Sequence, residues 1–147
     1  MAQSRKTQIP LPSDVVVAEK MSEEAESYVR SISHVDDNEK ILDIGPDTTK
    51  EWVDLIKKAK TIIWNGPMGI FEMPPFDKGT VALAKAVADS GAVSVVGGGD
   101  SEKAIKSAGV SAKITHVSTG GGASLEFLSG LELPGVAALT DKPVLTQ

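Results

Sequence analysis

"THVSTGGGASLEFL", Thr115 to Leu128, sets three consecutive glycines between an apolar, β-branched run and an apolar-periodic segment. Ile114 to Val117 reads as a strand, and Leu125, Phe127 and Leu128 read as one face of a packed helix. Glycine weakens any regular element because it gives up the most backbone entropy on folding. Three together therefore mean an unusually tight turn or a partner that comes close to the backbone. The rest of the chain must offer a second loop of this kind if the second meaning is right.

It does, one unit earlier. "AVSVV" (Ala92 to Val96) is a strand, and it runs through "GGGD" into a helix bearing Ala104, Ile105 and Ala108, closed by Gly109. Before that, "TIIW" (Thr61 to Trp64) reads as a buried strand entering "NGPMG", a turn by composition. The helix after "FEMPPFDKG" carries Val81, Leu83, Ala84, Val87 and Ala88, and Gly91 stops it. Upstream, Thr48 and Glu51 have capping-box spacing, and Trp52, Leu55, Ile56 and Ala59 form one apolar stripe behind them. "ILDI" (Ile41 to Ile44) and "DVVVA" (Asp14 to Ala18) are further short strands, the latter entered through "IPLP", where proline forbids a helix. Met21 to Asn38 gives no firm reading, and neither does the tail from Leu131. Strands alternating with helices imply an α/β fold, a parallel sheet with flanking crossover helices.

In such a sheet the strand carboxyl ends share one edge, and ligands bind there. Three loops leave that edge: "NGPMGIFE" after Trp64, "GGGDSE" after Val96 and "STGGGASLE" after Val117. Two of them open helices with glycines. Helix amino termini leave N–H groups unpaired, and these attract phosphate once side chains are out of the way. Asp100 repels a phosphate directly, but fits if a divalent cation lies between them, since Mg²⁺ takes one or two carboxylates plus substrate phosphates. The edge thus reads as a site for a Mg–nucleotide. Plainer readings stand beside this one: a glycine loop can be only a tight turn, Asp100 a helix cap, Asn65–Gly66 a turn and Glu72 a solvated charge. His34 and His116 have no ligand-like spacing; His116 is expected on a strand as packing or a hydrogen-bond partner, and Trp52 and Trp64 as core.

The 147 residues suit a domain with a single sizeable core, with 41% hydrophobic and 24% charged residues. A net charge of −5 argues against nucleic acid and anionic membranes as partners. Without cysteine, disulfides, thiolate nucleophiles and Cys-based metal sites are excluded, which fits a reducing compartment. No apolar run approaches a membrane span and the amino terminus lacks a secretory apolar stretch, so a cytoplasmic protein is expected. Neither a Walker-type G-x-x-x-x-G-K-[ST] nor a G-x-S-x-G elbow is present.

"IPLPSDVVVA", "ILDIGPDT", "TIIWNGPMGIFE", "FDKGT", "VVGGGDS" and "STGGGASLEFLSG" closely resemble, in order, the carboxyl-terminal part of phosphoglycerate kinase, from Ile9 to about Leu139. The resemblance implies a partial nucleotide-binding domain with a Rossmann-like parallel sheet, lacking the sugar-phosphate domain and the first half of its own domain. It implies a monomeric glycolytic parent that transfers a phosphoryl group reversibly between 1,3-bisphosphoglycerate and MgADP, giving 3-phosphoglycerate and MgATP. By motif, Asn65 approaches the nucleotide phosphates, Pro67 shapes the pocket and Glu72 holds the ribose hydroxyls. Gly98, Gly99, Asp100 and Ser101 form the phosphate and metal loop, with Asp100 on Mg²⁺. The Gly120, Gly121 and Gly122 amides face the transferring phosphoryl group. The resemblance also places the absent strands between the "DVVVA" and "TIIW" strands of one sheet. That leaves a hole and a sticky edge, so the isolated chain is expected to be inactive, and poorly folded, swapped or associated. At most it retains residual Mg-nucleotide binding.

Overall fold

A computed structural model describes residues 7–140, so the amino-terminal "MAQSRK" and the end of the tail lie outside the described residues. Two sheets are present among the described residues. β1 (Asp14–Ala18), β2 (Tyr28–Ser31) and β3 (Lys40–Ile44) form an antiparallel sheet in the order β2-β1-β3. β4 (Thr61–Asn65), β5 (Val93–Gly97) and β6 (His116–Ser118) form a parallel sheet in that order. The α/β class and the flanked parallel sheet are as the sequence implies. The membership of "DVVVA" is not: β1 pairs only with antiparallel neighbours and does not share a sheet with β4.

The helices are α1 (Pro46–Ile56), α2 (Lys78–Asp89), α3 (Gly99–Ser107), α4 (Gly121–Leu128) and the short α5 (Pro134–Ala137), which falls in the tail that had no firm reading. α2 and α3 are the crossovers of the parallel sheet. Trp64 and Val96 point from β4 and β5 into one core with Ala84 and Val87 of α2, Ile105 of α3 and the flanking Val110 and Ile114. Ile56 of α1 and Ile62 pack against the same cluster. Burying such a side chain stabilises by roughly 1.5–3 kcal/mol relative to leaving it exposed. A smaller cluster of Ala18, Leu42 and Phe76 joins the antiparallel sheet to the loop before α2.

The opposite face of the parallel sheet is covered only in part, by α4 beside Val95. Ile63 is 49% exposed and Val93 54%, and β4 is the edge of the sheet, so of "TIIW" only Trp64 is fully buried. Leu125, Phe127 and Leu128 of α4 are 46%, 68% and 52% exposed, which corrects their reading as a packed face. The apolar spacing is that of a packed helix, but among the described residues nothing covers it. No helix of the described residues is long and apolar enough to cross a membrane.

α1 begins at Pro46, two residues before the Thr48 expected from the capping-box spacing. The cap comes from β1 instead. The Asp14 carboxylate accepts the Thr48 amide at 2.7 Å, the Asp47 amide at 3.1 Å and the Thr48 hydroxyl at 2.7 Å. Burial alone raises the Asp14 carboxyl, but the Thr48 hydroxyl and the Thr48 and Asp47 amides outweigh it and hold it below the usual aspartate value. Asp43 of β3 does the same for α2, accepting the Gly79 amide at 2.8 Å and its neighbour Ile44 at 2.9 Å. Burial pushes Asp43 up to about 6 against those two amides, with the charge of Asp77 adding to the rise.

Candidate functional site

The parallel register puts three strand ends side by side. Asn65 pairs with Gly97, and Gly97 pairs with Ser118. The three loops named by the sequence therefore leave the sheet at one level, as the chemistry requires.

The glycines of that edge divide into two groups. A Cβ on Gly121 would lie 2.9 Å from the Gly98 Cα, so the second and third loops touch backbone to backbone. Gly98 has φ +92°, a left-handed conformation that favours glycine, and its amide donates to Ser118 O at 2.9 Å. Asn65 bridges the pair by donating from Nδ2 to Gly121 O at 3.2 Å. Packing accounts for these two glycines. Gly99 and Gly122 have nothing within 4 Å of an added Cβ, and Gly120 meets only ordinary contacts. Protein packing does not require glycine at those three positions.

α3 and α4 start without any side-chain cap. The first-turn amides of Gly99, Asp100 and Ser101, and those of Gly121, Gly122 and Ala123, donate to no acceptor among the described residues. They form two adjacent amide clusters at two helix amino termini, an arrangement that attracts anions.

Four other predicted side chains are distributed around this edge. Asp100 is solvent-exposed in the first turn of α3 and pairs with Lys103 at 3.0 Å. Asp100 first, with a lesser contribution from Glu72, holds the Lys103 ammonium above its usual value, which brings Glu72 into the same neighbourhood. Glu72 itself is exposed, on the loop between β4 and α2. That loop is anchored from below: Thr80 Oγ1 accepts the Met68 and Gly69 amides at 3.0 and 3.2 Å, and the Ile70 amide donates to Leu42 O at 3.0 Å. Pro67 lies half-buried at the start of the loop, after Gly66 at φ +98°. Ser101 is buried, and its hydroxyl oxygen accepts the Gly66 amide at 2.7 Å. Its side chain ties two loops together, leaving its own amide for the edge.

Among the described residues no group of three or more His, Asp or Glu side chains could hold a metal unaided. Asp100 alone faces solvent beside the free amides, which suits a cation that brings most of its ligands as phosphate oxygens and water, as Mg²⁺ does. His116 is on β6 as expected, but it is exposed and not part of the core. Trp64 is core, whereas Trp52 is half-buried and its Nε1 has no acceptor among the described residues.

Sequence reasoning missed Asp14, Asp43, Thr80 and the role of the Ser101 hydroxyl. Asp43 left one local signal: Gly69 and Gly79 both need to be glycine because a Cβ would lie 2.4–2.5 Å from its carboxylate or from Ile44.

The family model described as phosphoglycerate kinase matches residues 1–131. A phosphoglycerate kinase of Herpetosiphon aurantiacus is 55% identical over 141 residues, covering 96% of this chain and 36% of the relative. One from Solibacter usitatus is 62% identical over 129 residues, covering 88% of this chain and 32% of the relative. The solved phosphoglycerate kinase of Coxiella burnetii superposes with a TM-score of 0.84 at 48% identity, covering 88% of this chain and 34% of that one. The chain spans about a third of the length of the relatives it matches. It is a member of the phosphoglycerate kinase family, and corresponds to a partial region of it.

Proposed function

We propose that this chain provides the phosphate- and metal-binding edge of a phosphoglycerate kinase nucleotide domain. Its parent transfers a phosphoryl group reversibly between 1,3-bisphosphoglycerate and MgADP, giving 3-phosphoglycerate and MgATP, as a monomeric enzyme of cytoplasmic glycolysis. The observation that carries this reading is the side-by-side register of Asn65, Gly97 and Ser118, which sets the two uncapped helix starts against each other.

Phosphoryl transfer asks for positioning and charge stabilisation rather than covalent help. The loop of Gly98, Gly99, Asp100 and Ser101, through the amides of its last three residues and with Asn65, receives the nucleotide phosphates. Those of Gly120, Gly121 and Gly122 stabilise charge on the transferring group. Pro67 shapes the pocket, and Glu72 accepts hydrogen bonds from the ribose hydroxyls. Asp100 is the carboxylate that would hold Mg²⁺. When bound with the nucleotide, that ion neutralises phosphate charge.

Calorimetric titration of MgADP into the chain tests the reading, with intact mass verified on the same sample. Saturable binding that Asp100→Ala weakens supports it, and no binding by the verified chain contradicts it. The partly bare sheet face favours a second statement about the isolated chain: it lacks kinase activity and retains nucleotide binding at most. An ordered monomer with turnover would overturn that statement.

A further inference from the structure

A cavity of about 460 Å³ lies between the antiparallel sheet and the first turns of α1 and α2, and it shares no lining residue with the glycine edge. Its walls are Val16 and Val29 from the sheet, Ile44 at the end of β3, Pro46 of α1 and Ala82 of α2. Its volume falls in the range of roughly 300–1,000 Å³ typical of small-ligand sites, and its composition follows theirs, apolar walls with few polar groups.

Beside Ser27, Tyr28 and Thr49, the charged groups of the lining are both cationic. Lys50 and Lys78 line the cavity, both exposed, and neither has an ion-pair partner among the described residues. No aspartate or glutamate is among the residues lining the cavity, and the two buried acids behind it are engaged. Asp14 takes the Asp47 and Thr48 amides, and Asp43 takes those of Ile44 and Gly79. Tyr28 also lines the cavity. The two carboxylate caps take the Asp47, Thr48 and Gly79 amides, so the lysines are the charged attraction for an anion. Thr49 contributes no free proton, because its hydroxyl donates to Gly45 O at 2.8 Å.

We propose that this cavity binds a small amphipathic carboxylate, its aliphatic body between Val16, Ile44 and Ala82 and its head between Lys50 and Lys78. Such a ligand matches both the apolar walls and the unpaired ammonium groups. A neutral alcohol of the same length satisfies only the walls.

Octanoate is the probe, titrated into the full chain while methyl resonances of Val16, Val29, Ile44 and Ala82 are followed by NMR. Saturable shifts at these methyls are expected, with octanoate about five- to tenfold tighter than octan-1-ol and the advantage shrinking at high salt. Lys50→Gln with Lys78→Gln should erase that advantage without moving methyls elsewhere. Ala82→Phe should fill the cavity and abolish binding of both probes. Equal affinity for octanoate, octan-1-ol and octylamine would overturn the proposal, as would shifts confined to the partly bare sheet face or the absence of saturable shifts.

Discussion

The helices of this molecule begin in two different ways. α1 and α2 are capped by carboxylates that arrive from the antiparallel sheet, Asp14 onto Asp47 and Thr48, and Asp43 onto Gly79. α3 and α4 begin on glycine, with no side-chain cap and with first-turn amides that have no acceptor among the described residues. At the first pair the chain uses the anion-seeking ends for its own cohesion. At the second pair it leaves them for something else. An uncapped terminus forgoes stability, typically about 1 kcal/mol per cap, and here two of them lie side by side at the proposed phosphate edge.

Removing a cap on the anchored side should have the largest effect. Asp14→Ala leaves the Asp47 and Thr48 amides without their acceptor, while the Thr48 hydroxyl keeps the Asp14 main-chain carbonyl, and should lower stability by about 2–3 kcal/mol in urea denaturation. A loss below about 0.5 kcal/mol, the size of an ordinary surface change, would mean the carboxylate does not anchor α1. Gly121→Ala comes next. Its new Cβ meets the Gly98 Cα at 2.9 Å, backbone against backbone, and should cost about 1–3 kcal/mol as well as weakening MgADP.

Gly122→Ala sharpens the contrast, because its Cβ enters open space. Thermal unfolding should show a change within about 0.5 kcal/mol, while calorimetry should show MgADP binding about tenfold weaker. Unchanged binding would remove the reason for glycine at that position. In pH dependence the two caps have opposite signs. Asp14, held below its ordinary 3.8, contributes stability that is present above that value and lost as pH falls through its lowered native value. Asp43, raised to about 6, contributes stability that is full below 3.8 and lost as pH rises through about 6. The stability of the protein minus that of Asp43→Asn should therefore decline between about pH 4 and pH 7, and a flat difference would contradict the buried, raised carboxyl.

The parallel half of the fold and its glycine edge were legible because their signals are local. β4, β5 and α1 to α3 appear where apolar periodicity, glycine stops and β-branched runs put them, while β6 starts at His116, two residues after the run that begins at Ile114. In the antiparallel half β1 and β3 were legible as strands, but their pairing was not. β2 (Tyr28–Ser31) is mostly exposed and lies among acidic and small polar residues, so it has no clear alternation to read. The orientation of β1 is set by its neighbours, and short β-branched strands read alike in both kinds of sheet. The caps are equally invisible, since Asp14 and Thr48 are 34 residues apart. α4 misled for the opposite reason: its spacing is right for a packed helix, yet its apolar side chains meet solvent. Among the site residues, the strand-end alignment and free amides could be foreseen, whereas the Ser101 bridge to Gly66 and the Thr80 anchor depend on contacts that only the folded chain reveals.

Backbone amide NMR of the full chain during MgADP titration tests the central claim most directly. Saturable shifts are expected at Gly99, Asp100, Gly121 and Gly122, with the capped amides of Asp47, Thr48 and Gly79 unmoved. Shifts spread evenly over both kinds of helix start, or no shift at the glycine edge, would contradict it.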